Sequence, residues 1–208
     1  VFGLDHIFFT PAVEIIKSLN RLGVLVMGDM NWHAHSGIFT YPIRVAVDMN
    51  IPLMIWGESV SENDGRSSYS KPTIKFDRDY FTKVSAKLTA KQMIDKKLSE
   101  KDLHPFKLPS FKDIKEQRVT GIHLGDFIFW DDERQTEFIK KEYGWKETEM
   151  EGSYKKYKSV ECIMSGVHDF SCYIKRGFGR NTWQSAVDIR NGLLDREEAF
   201  DLVKKFDK

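Results

Sequence analysis

Residues 51–58 read Ile51-Pro52-Leu53-Met54-Ile55-Trp56-Gly57-Glu58, a short apolar run that ends in a turn and a carboxylate. A continuous apolar run of this length, bounded by proline and glycine, is typical of a strand buried in a parallel sheet. We therefore predict a strand over Leu53–Trp56. A similar run predicts an earlier strand over residues 7–10. Two such strands with helical sequence between them form a crossover unit, which favours parallel pairing with a right-handed connection.

Two helices are predicted within this crossover. Thr10 and Pro11 suit the N-cap and first position of a helix, and Gly23 is the expected end. The second helix is predicted over residues 38–49, with Pro42 in its first turn. The first predicted helix has apolar residues at helical spacing, namely Val13, Ile16 and Leu19.

The rest of the chain is predicted to be mainly helical. Residues 59–75 are polar and rich in Ser, Asn, Asp and Gly, which indicates a loop. The other expected elements are a helix over 76–98, a strand and turn over 119–130, a helix opened by a capping box of Asp132 and Gln135 and ending near Gly144, and a final helix opened by Asp195 and Glu198. The fold class is therefore α/β, with a parallel sheet followed by a mainly helical C-terminal region.

The segment before the second predicted helix is rich in candidate ligand contacts. It reads Trp32-His33-Ala34-His35-Ser36-Gly37-Ile38-Phe39-Thr40-Tyr41-Pro42. His33 and His35 would contact a polar substrate or nucleotide, ligate a metal, or serve as ordinary structural histidines. Trp32 and Ser36 are candidate binding residues beside them. No metal site is assigned, because no cysteine lies close by and Asp29 is the nearest carboxylate.

A second group of candidates follows the predicted strand at residues 53–56. In open α/β sheets, ligands bind beyond the carboxyl ends of the strands. Trp56 and Gly57 are therefore candidate binding residues, and Glu58 is the candidate catalytic carboxylate. Such a carboxylate binds Mg²⁺ or a sugar hydroxyl, and the alternative is a surface glutamate after a turn.

The C-terminal region carries a third group. His168 and Asp169 join a potential acid–base residue to a carboxylate, and Gly179 and Arg180 end the run Lys175-Arg176-Gly177-Phe178-Gly179-Arg180. Glycines allow close approach of a ligand, and arginine binds phosphate or carboxylate with two donors. The alternative for this run is a basic helix end with glycine caps. Asp188 and Arg190 are candidates of the same kind, or else a surface salt bridge.

The composition excludes several classes of protein. The formal net charge is +1, with 32 Lys and Arg against 31 Asp and Glu, which argues against a general nucleic-acid binder. No apolar run approaches the ~18 residues of a membrane span. The two cysteines, Cys162 and Cys172, do not make a disulfide framework, which indicates a reducing, cytoplasmic compartment. They are expected to be small buried side chains, and the alternative is a nucleophile and its partner.

Five segments together resemble the N-acetyl sugar amidotransferases, bacterial enzymes of lipopolysaccharide O-antigen and flagellin-glycan biosynthesis. The central one is Gly28-Asp29-Met30-Asn31-Trp32-His33-Ala34-His35-Ser36-Gly37-Ile38-Phe39, and the others are residues 51–58, 121–131, 166–169 and 177–190. The resemblance runs from Asp5 to Asp207. Ser36 stands where many members have cysteine, which argues for a lining role at this position.

The resemblance implies a fold and a reaction. Family members look like ATP pyrophosphatases of the PP-loop type, with a Rossmann-like sheet of the adenine nucleotide alpha hydrolase kind. Such a transferase or ligase uses ATP and Mg²⁺ to adenylate an acetamido group of a nucleotide-linked sugar. Ammonia from a separate glutaminase subunit then displaces AMP and leaves an acetamidino group. The implied partners are this glutaminase and the sugar nucleotide. A second copy of the chain is a further expected partner, because the predicted strands over residues 7–10 and 53–56 would leave apolar surface uncovered.

One family motif is missing from these residues. A PP-loop of the type Ser-Gly-Gly-x-Asp-Ser is absent, and we expect it upstream of Val1. The sheet is accordingly expected to be incomplete at its N-terminus, with residues 1–75 as the C-terminal half of the nucleotide-binding domain and 76–208 as a helical substrate or partner region. The alternative is a non-catalytic protein that binds a sugar nucleotide or docks a partner. A tRNA-thiolating sulfurtransferase of the same superfamily is less favoured, because it would need catalytic cysteines and a basic surface.

Overall fold

A computed structural model of the chain describes residues 2–57, 88–128, 131–150, 152–158, 160 and 162–207. The chain divides into two compact units. The first unit runs from the N-terminus to Arg44 and includes Arg78–Ser110, and the second unit contains Val45–Asp77 and Phe111–Lys208. The predicted domain boundary at residue 75, the predicted loop over 59–75 and the candidate Glu58 all lie outside the described residues.

The described residues form a mixed α/β structure that is mostly helical. The elements are α1 (Val13–Met27), α2 (Trp32–Asp48), β1 (Leu53–Trp56), α3 (Phe111–Glu116), β2 (Thr120–His123), α4 (Asp132–Tyr143), α5 (Ser165–Arg176), α6 (Arg180–Arg190) and α7 (Arg196–Phe206), with 3₁₀ turns at Ala90–Met93, His104–Phe106 and Leu124–Asp126.

Strands β1 and β2 pair in parallel, with Leu53 opposite Thr120 and Trp56 opposite His123. The prediction of a strand over Leu53–Trp56 is confirmed, and so is the prediction of a strand and turn from residue 119. The strand predicted over residues 7–10 is wrong: these residues form no strand, and Ile7 and Phe8 are exposed. An apolar run without a paired neighbour has no ladder of hydrogen bonds to hold it extended. Within the described residues the sheet has two strands.

The first two helices differ from their predicted bounds. Helix α1 begins at Val13, with Ala12 at its N-cap in place of Thr10. It continues through Gly23 and ends before Gly28, which has φ 64° and supplies the left-handed cap. Helix α2 begins at residue 32 rather than 38, so that Pro42 lies inside it and not in its first turn.

The later helices follow their capping signals more closely. Asp195 caps α7 through the backbone N–H of Glu198, as predicted. Helix α4 ends at Gly144 as predicted, but its N-cap is Asp131 rather than Asp132. The helix predicted over 76–98 is wrong in its described part, because residues 88–98 contain only a 3₁₀ turn. No helix in the described part of the chain has the length and apolarity to cross a membrane.

The hydrophobic core of the first unit lies between the two long helices and the segment that follows residue 88. Its buried members are Leu19, Trp32, Ala90, Met93, Leu98, Leu103 and Phe106. Trp32 packs against the ring of Phe106 at 5.8 Å, and its indole N–H donates to the carbonyl of Leu88. Burying large aromatic and aliphatic side chains in this way provides the main stabilisation of such a unit.

The last turn of α1 leaves no room for a side chain at Gly23. A Cβ atom built at this position would collide with the backbone carbonyl oxygen of Asp29. We expect Gly23→Ala to lower the free energy of unfolding by about 1–3 kcal/mol, because backbone rather than a mobile side chain must move. Gly37→Ala is the matched control. Its Cβ would lie 3.4 Å from Phe106 and meets no backbone, so the stability should stay equal or rise by up to ~1 kcal/mol.

Chemical denaturation of the three proteins, followed by circular dichroism, measures this difference. Equal midpoints for Gly23→Ala and Gly37→Ala would contradict the close approach of Asp29 to α1.

The interior of the second unit is unusually polar. Its buried residues include Ser153, Lys155, Asn181, Gln184, Ser185 and Asp188. Helices α6 and α7 pack together. Since buried polar groups cost free energy unless they are hydrogen-bonded, this unit depends on specific partners for its polar groups.

Candidate functional site

The turn between α1 and α2 positions a carboxylate next to a histidine. The Asp29 carboxylate accepts the backbone N–H of Asn31 at 2.8 Å, and its other oxygen lies 3.2 Å from Nδ1 of His35. This pairing fixes the orientation of the imidazole ring. Asp29 was not a predicted site residue, although the pattern Asp-x-Asn before a helix is a recognisable turn signal.

His33 has a different environment on the same helix turn. Burial lowers the pKa of its imidazole below the usual value, and nearby His35 acts in the same direction, whereas the Met30 carbonyl and Asp29 act against it. His33 is therefore neutral near pH 7. The amide nitrogen of Asn20, once oriented to satisfy its neighbours, lies 2.9 Å from Nδ1 of His33. The structure thus has two candidate histidines with different polar partners.

Two neighbouring candidates lie in the core of the first unit. Trp32 has no exposed surface and Ser36 is 1% exposed, and the Ser36 hydroxyl donates to the carbonyl of Phe106. Both side chains stabilise the packing around the histidines in this structure.

The candidates after β1 lie at the carboxyl end of a parallel strand pair. Trp56 is partly buried at the end of β1, next to His123 at the end of β2, and Gly57 is exposed. Glu58 follows Gly57 in the sequence and lies outside the described residues. Its role as a catalytic carboxylate therefore stays a prediction.

The C-terminal candidates His168, Asp169 and Arg180 form one connected group. Nε and Nη2 of Arg180 donate to the two oxygens of Asp169 at 2.5 and 2.7 Å, and Nδ1 of His168 lies 3.3 Å from the same carboxylate. Burial alone would raise the pKa of Asp169, but the His168 and Arg180 contacts outweigh it and hold the pKa below its usual value. In this structure the arginine therefore has an internal carboxylate as its anionic partner.

Gly177 and Gly179 have separate structural roles. Gly177 is the left-handed cap of α5, with φ 78°, which is the cap alternative considered for this run. Gly179 precedes α6, and a Cβ there would collide with the carboxylate of Asp207. That carboxylate accepts the backbone N–H groups of Gly179, Asn181 and Thr182 at 2.9–3.1 Å. Gly179 was predicted to allow the close approach of an anionic ligand. In the structure it allows the close approach of the Asp207 carboxylate of the same chain.

Asp188 is a buried structural residue rather than an accessible one. One of its oxygens lies 2.8 Å from Nζ of Lys155, and the other accepts the hydroxyl of Tyr154 at 2.6 Å. Burial raises the pKa of the Tyr154 phenol, and the hydrogen bond to the Asp188 carboxylate raises it further. The phenol therefore stays neutral and donates its hydrogen bond to Asp188. Arg190, in the last turn of the same helix, is exposed.

A cavity of about 740 Å³ lies beside the Asp169–Arg180 pair, within the second unit. Its walls combine this pair with the aromatic rings of Phe170, Tyr173 and Phe206. Small-molecule sites are commonly mostly apolar cavities of about this volume that contain a few fixed polar groups. This cavity is a candidate binding site within the second unit.

Comparison with known families gives a match over the C-terminal part of the chain. Residues 151–208 match the family described as LPS biosynthesis protein WbpG-like, C-terminal domain. No curated protein matches the chain. The matched residues include α5, α6 and α7 and hold the Asp169–Arg180 pair and the Lys155–Asp188 pair. The C-terminal part of the chain is therefore similar to a domain of lipopolysaccharide biosynthesis proteins.

Proposed function

We propose that this chain is part of an ATP-dependent amidotransferase that converts an acetamido group of a nucleotide-linked sugar to an acetamidino group in lipopolysaccharide or surface-glycan biosynthesis. The match of residues 151–208 to a lipopolysaccharide biosynthesis domain carries the proposal. The resemblance of residues 28–39 and 51–58 to the sugar amidotransferases extends it to the reaction. A cytoplasmic location and a Rossmann-like sheet in the whole protein belong to the same proposal.

The proposed reaction explains why candidate acid–base groups and a candidate sugar site would be needed together. An amide oxygen is a poor leaving group, and adenylation by ATP makes it a good one. Ammonia from a glutaminase partner then attacks the same carbon, and a base must remove a proton from the attacking nitrogen. His33 and His35 are the proposed acid–base groups, with Asp29 orienting His35, and Glu58 is the proposed catalytic carboxylate.

The sugar nucleotide is proposed to contact the second unit through the cavity beside Asp169 and Arg180. The ion pair is neutral as a whole, so it offers hydrogen bonds to sugar hydroxyl and amide groups rather than a net positive charge. The rings of Phe170 and Tyr173 provide apolar surface for the face of a sugar or a base.

The described residues do not fit the triphosphate of ATP. The 208 residues contain no PP-loop sequence, and the N–H groups before and in the first turn of α6 already bind Asp207. ATP and Mg²⁺ are therefore assigned to none of the described residues. The same observation favours the second candidate, a non-catalytic protein that binds a sugar nucleotide or docks a partner.

The two candidates are separated by an assay of the natural gene product that contains this chain. It is incubated with a nucleotide-linked diacetamido sugar, ATP, Mg²⁺ and ammonium, and both the sugar mass and pyrophosphate are followed. The amidotransferase predicts replacement of an oxygen by NH in the sugar, with one pyrophosphate released for each product. Residues 1–208 alone should release none, because their sequence contains no PP-loop whose backbone N–H groups would hold the phosphates. An intact sugar and no pyrophosphate from the natural gene product, with binding retained, would support the non-catalytic protein.

A further inference from the structure

Helix α5 brings a thiol, an imidazole and a carboxylate into one line. Sγ of Cys172 lies 3.7 Å from Nε2 of His168, and Nδ1 of His168 lies 3.3 Å from Oδ1 of Asp169. His168 and Cys172 are four residues apart, so they lie on the same face of the helix. Both cysteines were expected to be buried, but Cys172 is partly exposed and Cys162 is exposed.

The order of these groups gives each nitrogen of His168 a distinct role. An ionised Asp169 favours the tautomer in which Nδ1 carries the proton and donates to the carboxylate. Nε2 is then an acceptor that faces the thiol. Thiol, imidazole and carboxylate stand in the order in which a nucleophile, its base and an orienting group are arranged in acyl-transfer enzymes.

The orienting carboxylate is itself fixed. Arg180 holds both oxygens of Asp169 with two donors, a geometry that restricts rotation of the carboxylate. Asp169 is also held ionised, since its contacts lower its pKa. The base therefore has a rigid support that extends from α5 to the first residue of α6.

We propose that Cys172 is a nucleophilic thiol site for a soft electrophilic carbon that bears a leaving group, with His168 as its general base and Asp169 as the positioning residue. As sulfur attacks, its proton passes to Nε2 of His168. The electron pair of sulfur forms the new S–C bond, and the leaving group departs with the electrons of the bond that breaks. No oxidant or reductant is required, and neither ATP nor ammonia takes part in this step.

Iodoacetamide is the probe, because the reaction forms one S–C bond and releases iodide. The folded 208-residue chain is treated with limiting reagent at neutral pH, and peptide mass spectrometry follows both cysteines in the same sample. Cys162 is the internal control, since it is the more exposed thiol and has no imidazole contact among the described residues. We expect Cys172 to react roughly tenfold faster than Cys162, a conservative fraction of what a positioned base contributes.

Two variants test the assigned roles. His168→Gln should reduce the Cys172 rate to that of Cys162 or below, while the Cys162 rate and the melting temperature stay close to wild type. Asp169→Asn should give an intermediate rate. The proposal is overturned if Cys172 in the unmodified chain reacts no faster than Cys162, a result that needs no variant to fold. It is equally overturned if His168→Gln leaves the Cys172 rate unchanged.

Discussion

Asp188→Ala should lower the free energy of unfolding by about 3–5 kcal/mol, since it leaves a buried ammonium group without its main partner. Lys155 is 8% exposed and has Asp188 at 2.8 Å, while its next carboxylate, Asp132, is 3.7 Å away. The variant also removes the acceptor of the Tyr154 hydroxyl. Urea denaturation followed by tryptophan fluorescence, which reports on Trp183 of α6, measures the loss.

Two controls separate the buried charge from charge in general. Asp201→Ala removes an exposed carboxylate that lies 3.6 Å from Lys204, and it should change stability by at most ~0.5 kcal/mol. The double variant Lys155→Met with Asp188→Leu should recover much of the loss, because no unpaired charge remains buried. A loss below ~1 kcal/mol for Asp188→Ala would mean that Lys155 reaches water or a second anion.

Glu58→Gln in the natural gene product should reduce turnover by ~10²-fold or more, as expected for loss of an acid–base or metal-binding carboxylate. Glu58 follows Gly57 at the carboxyl end of β1, and the parallel pairing with β2 makes this the edge at which α/β sheets bind ligands. The exchange is nearly isosteric, so the melting temperature should stay close to wild type.

Glu14→Gln is the matched control. Its carboxylate is 82% exposed and pairs with Lys17 on the surface of α1, so turnover should be unchanged. If Glu58→Gln also keeps wild-type turnover while it remains folded, Glu58 is a surface residue and the catalytic carboxylate lies elsewhere.

The sequence predicted structure most reliably where an element's bounds depend on residues that are close together in the chain. The caps at Asp195 and Gly144 and the strand over Leu53–Trp56 were predicted with correct bounds because each depends on neighbours within a few residues. The pairing partner of β1 was predicted wrongly, since an apolar run at residues 7–10 looks the same in sequence whether or not another strand lies beside it. Register and partner are long-range properties.

For the candidate site as well, the sequence identified individual residues but not the contacts between distant ones. The structure brings His168, Asp169 and Arg180 together, but their mutual pairing was not predicted, and their role in a binding site stays a prediction. Asp207 was missed altogether because it binds residues that lie 25–28 positions earlier. Gly179 carried the relevant signal, a position without room for a side chain, but the sequence alone does not identify the group that approaches it.

The polar interior of the second unit has a consequence for the evolution of the chain. A leucine in a hydrophobic core can be replaced by another aliphatic residue in a single substitution. Lys155 and Asp188, which are 33 positions apart in the sequence, form a buried ion pair, so a change at one affects which residues are tolerated at the other. A lineage that loses either charge passes through an unstable protein unless the other changes with it. We therefore expect these two positions to covary in homologues, as should Asn181 and Asp207. A family alignment would then reveal the packing of this unit from paired substitutions, even where the individual residues differ.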